Sequence, residues 1–399
     1  MSLAERDLFE PTPEAAQARL DAVRPADYAC SRNHLQGSVT RLSPYLTHGF
    51  FSLRQVVDQI QSRHGLGLEH KLLQELGWRA FFQHTWRHDG AAIAHSARAG
   101  PLPDAAYAPA VPGDLREART GLPVIDQAVR TLYATGYLHN HARLWLASYA
   151  VHLRKVHWRA GADWMVAHLL DGDLGSNHLS WQWVAGTASS KPYLFNAENV
   201  AKFAPAAWHS PGTVIDTGYD WLATLAHLQH DCGPEPFPPV AVEEPGLMAA
   251  PPAGVFSGHQ AQSLAGRDVW LIHPWALGDA PAGLLPVAVC AAEWSARQPW
   301  SARRWRFVAT RMQALTPLRW YGAQADVLRA LQAARSVQGW RNPHLGAAWE
   351  VLPLAEPPAP WPEPEARCRS FSAYWAWVRE RASRVPNDFP RSQGELFHD

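Results

Sequence analysis

The sequence predicts a mainly α-helical domain followed by a small α/β domain of the Rossmann-like class. Residues from about 14 to 215 have the apolar spacing of nearly continuous helices, whereas short apolar runs alternate with helical stretches after about residue 267. Between these regions, residues 233–262 are rich in Pro, Gly and Ala, which is typical of a linker. We therefore divide the chain into an all-helical domain over 1–215, a linker over 216–263 and an α/β domain with a C-terminal helix over 264–399.

The composition is that of a soluble globular protein. Hydrophobic residues make up 47% of the 399 residues and charged residues 18%, which favours two packed cores over disorder. No run approaches the roughly 18 apolar residues of a membrane helix, and the polar start MSLAERDLFEPTPEA is unlike a signal or transit peptide. We therefore expect a cytoplasmic protein with no membrane partner. The zero net charge counts mildly against DNA binding, because nucleic-acid binders usually carry a basic excess.

The cysteines predict neither a disulfide framework nor a metal site. Cys30, Cys232, Cys290 and Cys368 lie far apart and form no CxxC pair. Reduced, mostly buried thiols fit this spacing better than a zinc or iron–sulfur site does.

The first polar motif of the helical domain is the run SVTRLSPYLTHGFFSLRQVV over residues 38–57. Thr40, Arg41 and Ser43 precede a predicted helix, and the free N–H groups of a helix start, with hydroxyls and an arginine, suit a pyrophosphate. A simple helix cap explains the same residues, and for this run alone it is the better interpretation.

Two predicted helices follow further along the chain. The apolar spacing over 123–136 predicts one helix, with Pro at an early position and Gly at its end. A second is predicted over about 138–155, where Asn140 and Arg143 share a face with apolar residues. That mixture suits a face that meets a polar ligand better than a plain core.

The densest polar run is DGDLGSNHLSWQWVAGT over residues 171–187, which contains Asp171, Asp173, Asn177 and two tryptophans. An Asx turn that caps a helix explains these residues about as well as a binding site does.

The last region predicts strands over 268–273, 284–289, 318–322 and 349–354, with helices over 301–315 and 324–335. Strands that alternate with helices predict a small parallel α/β domain. It contains no GxGxxG or GxxxxGK[ST] loop, so a nucleotide site there has no local support.

Several of these motifs occur together and in order. RNHLQGSVTRLSPYLTHG, ELGWRAFF, TGLPVIDQAVRTLYATGYLHNHARLWLASY, HLLDGDLGSNHLSWQWVAGT and KPYLFNAENVAKF together resemble the FAD-binding domain of DNA photolyases and cryptochromes. The resemblance covers about residues 27–205, and ordered motifs at matching spacing are far more specific than one short pattern. It implies that the protein binds FAD.

The resemblance also implies roles for particular residues in holding FAD. Tyr28 lies near the phosphates, and a stretch matching the family's TSRLS run surrounds them; this stretch is Val39, Thr40, Arg41, Leu42 and Ser43. Arg79 lies toward the FAD, and Asn140 and Arg143 flank its ring system. Arg143 pairs with Asp171, which keeps positive charge beside a reduced flavin. Asp173 accepts a hydrogen bond from the flavin or its ribityl chain, and Asn177 faces the flavin N5.

Further roles concern DNA and electron transfer. Glu75, Trp78, Asn140 and Trp183 match the family's contacts to a pyrimidine dimer, with the two tryptophans stacking on the flipped bases. Arg32 matches an arginine near the DNA, and His141 stands where dimer-repairing relatives usually have an arginine, so a permanent charge is lost there. Trp181 and Trp158 match the first two members of a chain that photoreduces FAD. The third has no counterpart, and Tyr107 is the nearest aromatic residue.

The family usually begins with an α/β antenna domain, whereas only about 25 residues precede the motifs here. The C-terminal α/β region faintly resembles that domain, and one interpretation is a circularly permuted, shortened version of it. An unrelated α/β module is the alternative.

Three functions remain open. The first is a DNA photolyase, a lyase that uses blue light and FAD to repair pyrimidine dimers in UV-damaged DNA. The second is a cryptochrome-like photoreceptor that signals to a protein partner without repair. The third is a flavoprotein with a structural or dark redox role. The retained dimer contacts favour repair, whereas the neutral charge, His141 and the unusual architecture favour the photoreceptor.

Overall fold

A computed structural model describes residues 8–236 and 238–382. The first part of this range is helical, and its α-helices are α1 (Pro13–Asp21), α2 (Pro25–Ser31), α3 (Ser43–Thr47), α4 (Leu53–His64), α5 (Lys71–Asp89), α6 (Gly113–Arg116), α7 (Pro123–Thr135), α8 (Asn140–Ser148), α9 (Trp158–His168), α10 (Leu174–Ala185), α11 (Ala197–Phe203) and α12 (Tyr219–His227). The remainder is α/β and contains β1 (Leu247–Met248), β2 (Asp268–Ile272), β3 (Leu285–Ala291), α13 (Ala292–Arg297), β4 (Trp300–Ser301), α14 (Ala302–Leu315), β5 (Arg319–Gly322), α15 (Gln324–Leu331), β6 (Ser336–Gly339) and α16 (Phe371–Ala382).

The helix predicted over 123–136 is α7, which begins at Pro123 as predicted. It ends where Gly136 takes the left-handed conformation, with φ of 66°. The next helix is shorter than the predicted span of 138–155. It starts at Asn140, because the His139 side chain caps it by accepting from the His141 N–H, and it opens into a π-helical turn over Tyr149–Leu153.

The α/β part is built on a four-stranded parallel sheet in the order β5-β3-β2-β6. Counting these strands along the chain, the order is 3-2-1-4, which also occurs in doubly wound sheets. The predicted strands over 268–273, 284–289 and 318–322 are confirmed as β2, β3 and β5. That the sheet is a permuted, shortened antenna domain stays a prediction.

The strand predicted over 349–354 is wrong. That segment contains the end of a 3₁₀ turn over Ala347–Val351, and the fourth strand of the sheet is β6 instead. Only four residues long and containing Gln and Gly, β6 lacks the apolar run that identified the other strands.

The two parts share their hydrophobic cores. Phe9, Tyr45 and Phe50 of the N-terminal segment pack into the α/β core, where Phe307 of α14 is an aromatic neighbour of Tyr45 and Phe50. Conversely, α16 packs with α4 and α5 in the core of the helical part, through Tyr374, Trp375 and Val378. The helical part also has a core of its own around α7 to α10.

The domain limits of the structure therefore differ from the predicted ones. The predicted linker over 216–263 contains α12, whose Leu222 and Leu225 lie in the helical core. Its later part lies along the helical part, where the Glu235 N–H donates to Thr120 O and the Val242 N–H to Glu117 O. No helix in the described ranges combines the length and apolar character that crossing a membrane requires.

Candidate functional site

The centre of the candidate site is an ion pair between α8 and the turn that precedes α10. Arg143 Nη2 donates to both carboxylate oxygens of Asp171, at 2.9 and 2.7 Å. The Asp171 side chain is only 3% exposed, so this is a largely desolvated pair. The Arg143 guanidinium also lies 5.5 Å from the centre of the Tyr137 ring, which restricts its position further.

The second carboxylate of the turn, Asp173, is also buried. Its Oδ1 accepts from the Ser176 N–H at 2.7 Å and so caps α10, as the Asx-turn interpretation predicted. Gln83 of α5 donates to both of its oxygens, at 3.1 and 3.0 Å. Burial alone would raise the pKa of Asp173, but the charge of Arg79 and the cap, among other groups, outweigh it and hold that pKa below its usual value.

A third side chain connects these elements. Arg79 Nη2 donates to Thr47 Oγ1 at 3.1 Å, and this hydroxyl donates to Asp171 O at 3.3 Å. The end of α3, the middle of α5 and the turn before α10 therefore hold one another in place.

The predicted phosphate cradle forms a turn before α3. Arg41 is exposed and has a φ of 50°, a left-handed conformation that few non-glycine residues adopt and that recurs at functional sites. The cradle has fewer free backbone donors than predicted, because the Val39 N–H donates to Gly37 O and the Leu42 N–H to Thr40 Oγ1. In addition, α3 begins at Ser43 and has only five residues, with a proline in its first turn.

Glu75 lies beside Arg32 and Tyr28. Its side chain is 41% exposed, and its Oε1 is 3.5 Å from Arg32 Nε. Surrounding protein removes part of its hydration and raises its pKa, and the charge of Arg32 opposes this effect. Burial, followed by the charge of Glu75, also raises the pKa of Tyr28. The predicted DNA contact Arg32 is thus already paired with the predicted dimer contact.

Asn140 and His141 stand at the start of α8. Asn140 is exposed, whereas His141 is half-buried and packs 5.2 Å from the Phe203 ring. Burial, together with the charges of Arg32 and His34, lowers the pKa of His141 to about 4. His141 is therefore neutral near pH 7 and does not replace an arginine charge.

The two tryptophans predicted to meet a dimer have different surroundings. Trp183 is 38% exposed and lies 5.6 Å from the Tyr193 ring. One face of Trp78 is instead covered by Phe371 of α16, with ring centres 4.0 Å apart and planes at 13°. This contact could not be predicted from local sequence patterns, because nearly 300 residues separate the two rings.

The two tryptophans predicted to carry electrons are both buried. Trp158 is the first residue of α9, and Trp181 packs against that helix. Trp181 packs directly on Gly161, where an added Cβ would come within 2.3 Å of the indole. Trp158, one turn earlier on α9, donates from Nε1 to Ser96 Oγ at 2.9 Å. Asn177 donates its amide to Ala162 O on the same helix, at 2.9 Å. This leaves the amide oxygen of Asn177 as its acceptor for a ligand.

Comparisons with known proteins identify this region. A family model described as the FAD binding domain of DNA photolyase matches residues 72–246. This part of the chain is similar to the FAD-binding domain of DNA photolyases. The match includes α5, α8 and α10, which position Arg79, Arg143 and Asp171.

Similar photolyases and cryptochromes come from diverse organisms. The deoxyribodipyrimidine photo-lyase of Streptomyces griseus is 34% identical over 41% of this chain and 36% of its own length. The deoxyribodipyrimidine photo-lyase of Thermus thermophilus is 37% identical over 47% of this chain and 46% of its own length. Cryptochrome DASH of Ostreococcus tauri is 33% identical over 51% of this chain and 38% of its own length. The chain therefore spans less than half the length of these relatives.

Among solved structures, a cryptochrome from Synechocystis aligns with 49% of this chain and 44% of its own, at 27% identity and a TM-score of 0.44.

The described residues fit FAD. The exposed guanidinium of Arg41 suits an anionic diphosphate, and the Arg143–Asp171 pair offers a fixed charge arrangement to a polar ring.

The sequence did not identify Gln83, Thr47 or Tyr137 as parts of this site. Each acts on a predicted residue rather than on the ligand: Gln83 binds Asp173, Thr47 binds Arg79, and Tyr137 packs against Arg143. A helical-face analysis would have found Gln83, which follows Arg79 by four residues on α5.

Proposed function

We propose that this protein repairs pyrimidine dimers in UV-damaged DNA by FAD-dependent electron transfer under blue light. The observation that carries the proposal is the Glu75 carboxylate. It is partly exposed beside Tyr28 and Arg32, in the same fold that buries the Arg143–Asp171 pair.

Bound FAD would supply the chemistry, since its reduced form gives an electron to the dimer when excited and takes it back after the ring opens. The residues of the chain position the cofactor and stabilise the reacting dimer. Glu75, whose pKa the surrounding protein raises against the opposing charge of Arg32, would place its carboxyl group within hydrogen-bonding reach of the dimer. Arg143 keeps positive charge beside the ring system, because Asp171 holds it in one orientation.

Trp181 and Trp158 serve the separate task of bringing electrons to the site. Trp181 packs on Gly161 of α9, and Trp158 precedes Gly161 by three residues on the same helix. His157 is 5.8 Å from the Trp158 ring and 6.3 Å from the Tyr107 ring, measured between ring centres. This arrangement supports Tyr107 as the outer end of the chain.

The direct test follows dimer loss from a short oligonucleotide in blue light, with FAD-loaded protein and a dark control. We expect dimers to disappear only in the light, and Glu75→Ala to slow repair by about 10²-fold, the typical effect of removing one stabilising donor. A protein whose bound FAD photoreduces while dimers persist is not a photolyase.

The second candidate is a cryptochrome-like photoreceptor, and one specific contact favours it. Phe371 stacks on Trp78 and covers one of the faces on which a flipped base could stack. Under this alternative, α16 remains in place and light-driven reduction of FAD is signalled to a protein partner.

One variant separates the two candidates. Phe371→Ala removes the covering ring, and since such a stack contributes about 0.5–1.5 kcal/mol, a photolyase should bind dimer-containing DNA about two- to tenfold more tightly. Trp377→Ala is the matched control, because Trp377 lies on the same helix and contacts Arg381. If neither variant binds damaged DNA better than undamaged DNA, the photoreceptor is favoured.

A further inference from the structure

Arg304 is a buried cation in the α/β part of the protein, and its contacts reach the flavin site. It lies on α14, is 1% exposed, and donates to two main-chain carbonyls, Gly172 O at 2.7 Å and Val166 O at 3.4 Å. Its guanidinium also stacks 4.2 Å from the centre of the Trp300 ring. The Nε atom has no hydrogen-bond partner in the described part of the chain.

An arrangement of this kind is costly. Removing a guanidinium from water carries a penalty of several kcal/mol that two neutral carbonyls and one ring only partly offset. Burial accordingly lowers the pKa of Arg304 to about 9, although the charges of Asp171 and Asp173 oppose this effect. Arg304 is still protonated at neutral pH, so its charge persists inside the protein.

The charge is placed directly behind the turn that carries the two carboxylates. Gly172, whose carbonyl Arg304 holds, separates Asp171 from Asp173 in the sequence. On its other side the turn is held by Arg143, which pairs with Asp171.

A second α/β residue holds the same turn. The Leu174 N–H donates to His344 Nε2 at 3.3 Å, and the His344 ring stacks 4.4 Å from Trp275. Because burial keeps the pKa of His344 well below its usual value, this ring accepts the bond as a neutral base. Of Arg304 and His344, which both hold this turn, only Arg304 therefore carries a charge.

The local charges do not cancel. Arg143 pairs with Asp171, and Arg79 acts on Asp173, so these four charges balance. Arg304 adds one positive charge to them. A fixed positive charge in a desolvated region favours the form of a ligand that carries more negative charge.

We propose that Arg304 is a positioning residue of the FAD site, which holds the turn over residues 171–174 and raises the reduction potential of the cofactor through its charge. The inference rests on FAD binding and gives the α/β part a role in tuning the cofactor. It does not depend on whether the protein repairs DNA.

The test is a spectroscopic redox titration of the FAD-loaded full chain. Arg304→Gln removes the charge, and we expect reduced FAD to bind about tenfold more weakly relative to oxidised FAD. For a one-electron step this corresponds to a potential lower by about 59 mV. Arg304→Lys retains the charge but loses the planar fork, so the potential should stay near the wild-type value even where FAD affinity falls.

Arg311→Gln is the matched control. Arg311 lies on the same helix, is 6% exposed, and binds Leu277 O and Asp279. Its loss should lower stability without changing the reduction potential.

The inference is overturned if Arg304→Gln leaves the reduction potential unchanged, or if Arg311→Gln shifts it equally. Should Arg304→Gln fail to fold, Arg304→Lys decides. Because this variant keeps the charge, a tenfold or larger change in its affinity for reduced relative to oxidised FAD also overturns the inference. A wild-type protein that binds no FAD refutes the proposed function itself.

Discussion

Asp171 shows how one residue depends on a partner from a distant part of the chain. Its carboxylate is almost completely buried and accepts both of its short hydrogen bonds from Arg143, 28 residues earlier. Removing one partner of a buried pair leaves the other charge desolvated, which costs on the order of 3–5 kcal/mol. The position of Arg143 beside the flavin site therefore depends on Asp171.

Asp171→Asn should remove bound FAD. The amide presents one acceptor oxygen and no charge to Arg143, so the guanidinium loses its fixed orientation. We expect at least tenfold weaker FAD binding, measured by the flavin absorbance that the purified protein retains. Asp279→Asn is the control, since Asp279 also pairs with an arginine but is 77% exposed. Full FAD retention in Asp171→Asn would contradict the assigned role of the pair.

At this scale the sequence predicted some contacts and not others. The pairing of Arg143 with Asp171 followed from family motifs, and the structure has that pair. Arg304 and His344 could not be predicted, because they reach the turn across more than 100 residues from a region without a recognisable motif. Such contacts depend on how two folded parts meet, which local patterns do not encode.

At the scale of elements, α16 is held on α5 by a set of contacts at one end of each helix. Arg87 pairs with Glu363 at 2.5 Å, and Arg367 pairs with Asp89. The Cys368 N–H donates to His84 Nε2 at 3.1 Å, which requires that nitrogen to be unprotonated. Along the helices, Trp375 packs against Gly77, where an added Cβ would come within 2.4 Å of the indole.

The docking of α16 should weaken in acid. Burial, together with the charges of His88, Arg87 and Arg367, lowers the pKa of His84 to about 4. The free histidine titrates near 6.5. Between these values the released state binds a proton that the docked state does not, so docking is favoured above pH 6.5 and is lost as the pH falls toward 4.

Hydrogen exchange of the α16 amides, corrected for intrinsic rates, measures this effect. Protection should fall between pH 6.5 and 4.5 in the wild-type protein. In His84→Gln, which keeps an acceptor but does not titrate, protection should depend less on pH. Equal pH dependence in both proteins would show that His84 is not the titrating group.

The sequence also predicted whole elements unevenly. Long amphipathic segments such as α7 and α14 were found nearly to the residue, because their apolar faces repeat over several turns. The π-helical turn after α8 was missed, since the apolar spacing of 138–155 continues through it. The position of α16 on the helical part was also missed, as its own sequence does not specify which surface covers it.

For the whole molecule, the important feature is that the two parts share two hydrophobic cores, besides the core that the helical part has around α7 to α10. Tyr45 and Phe50 precede α4 in the chain, yet their rings lie 5.9 and 5.5 Å from Phe307 in the α/β part. In addition, His48 is buried between Pro274 O and Leu170 O, at 2.5 and 2.8 Å. Shared burial of this kind makes the stability of each part depend on the other.

We therefore expect the full chain to unfold in a single transition, and a cavity far from the flavin site should destabilise FAD binding as well. Leu331 of α15 is 1% exposed in the α/β core, so Leu331→Ala should cost about 2–5 kcal/mol. Calorimetry reports the whole unfolding, and the rise of flavin fluorescence on heating reports release from the helical part. In Leu331→Ala both midpoints should fall together. If FAD release kept its wild-type temperature while the calorimetric transition split into two, the two parts would be independent domains, and an effect of α14 on the flavin turn would lose its physical basis.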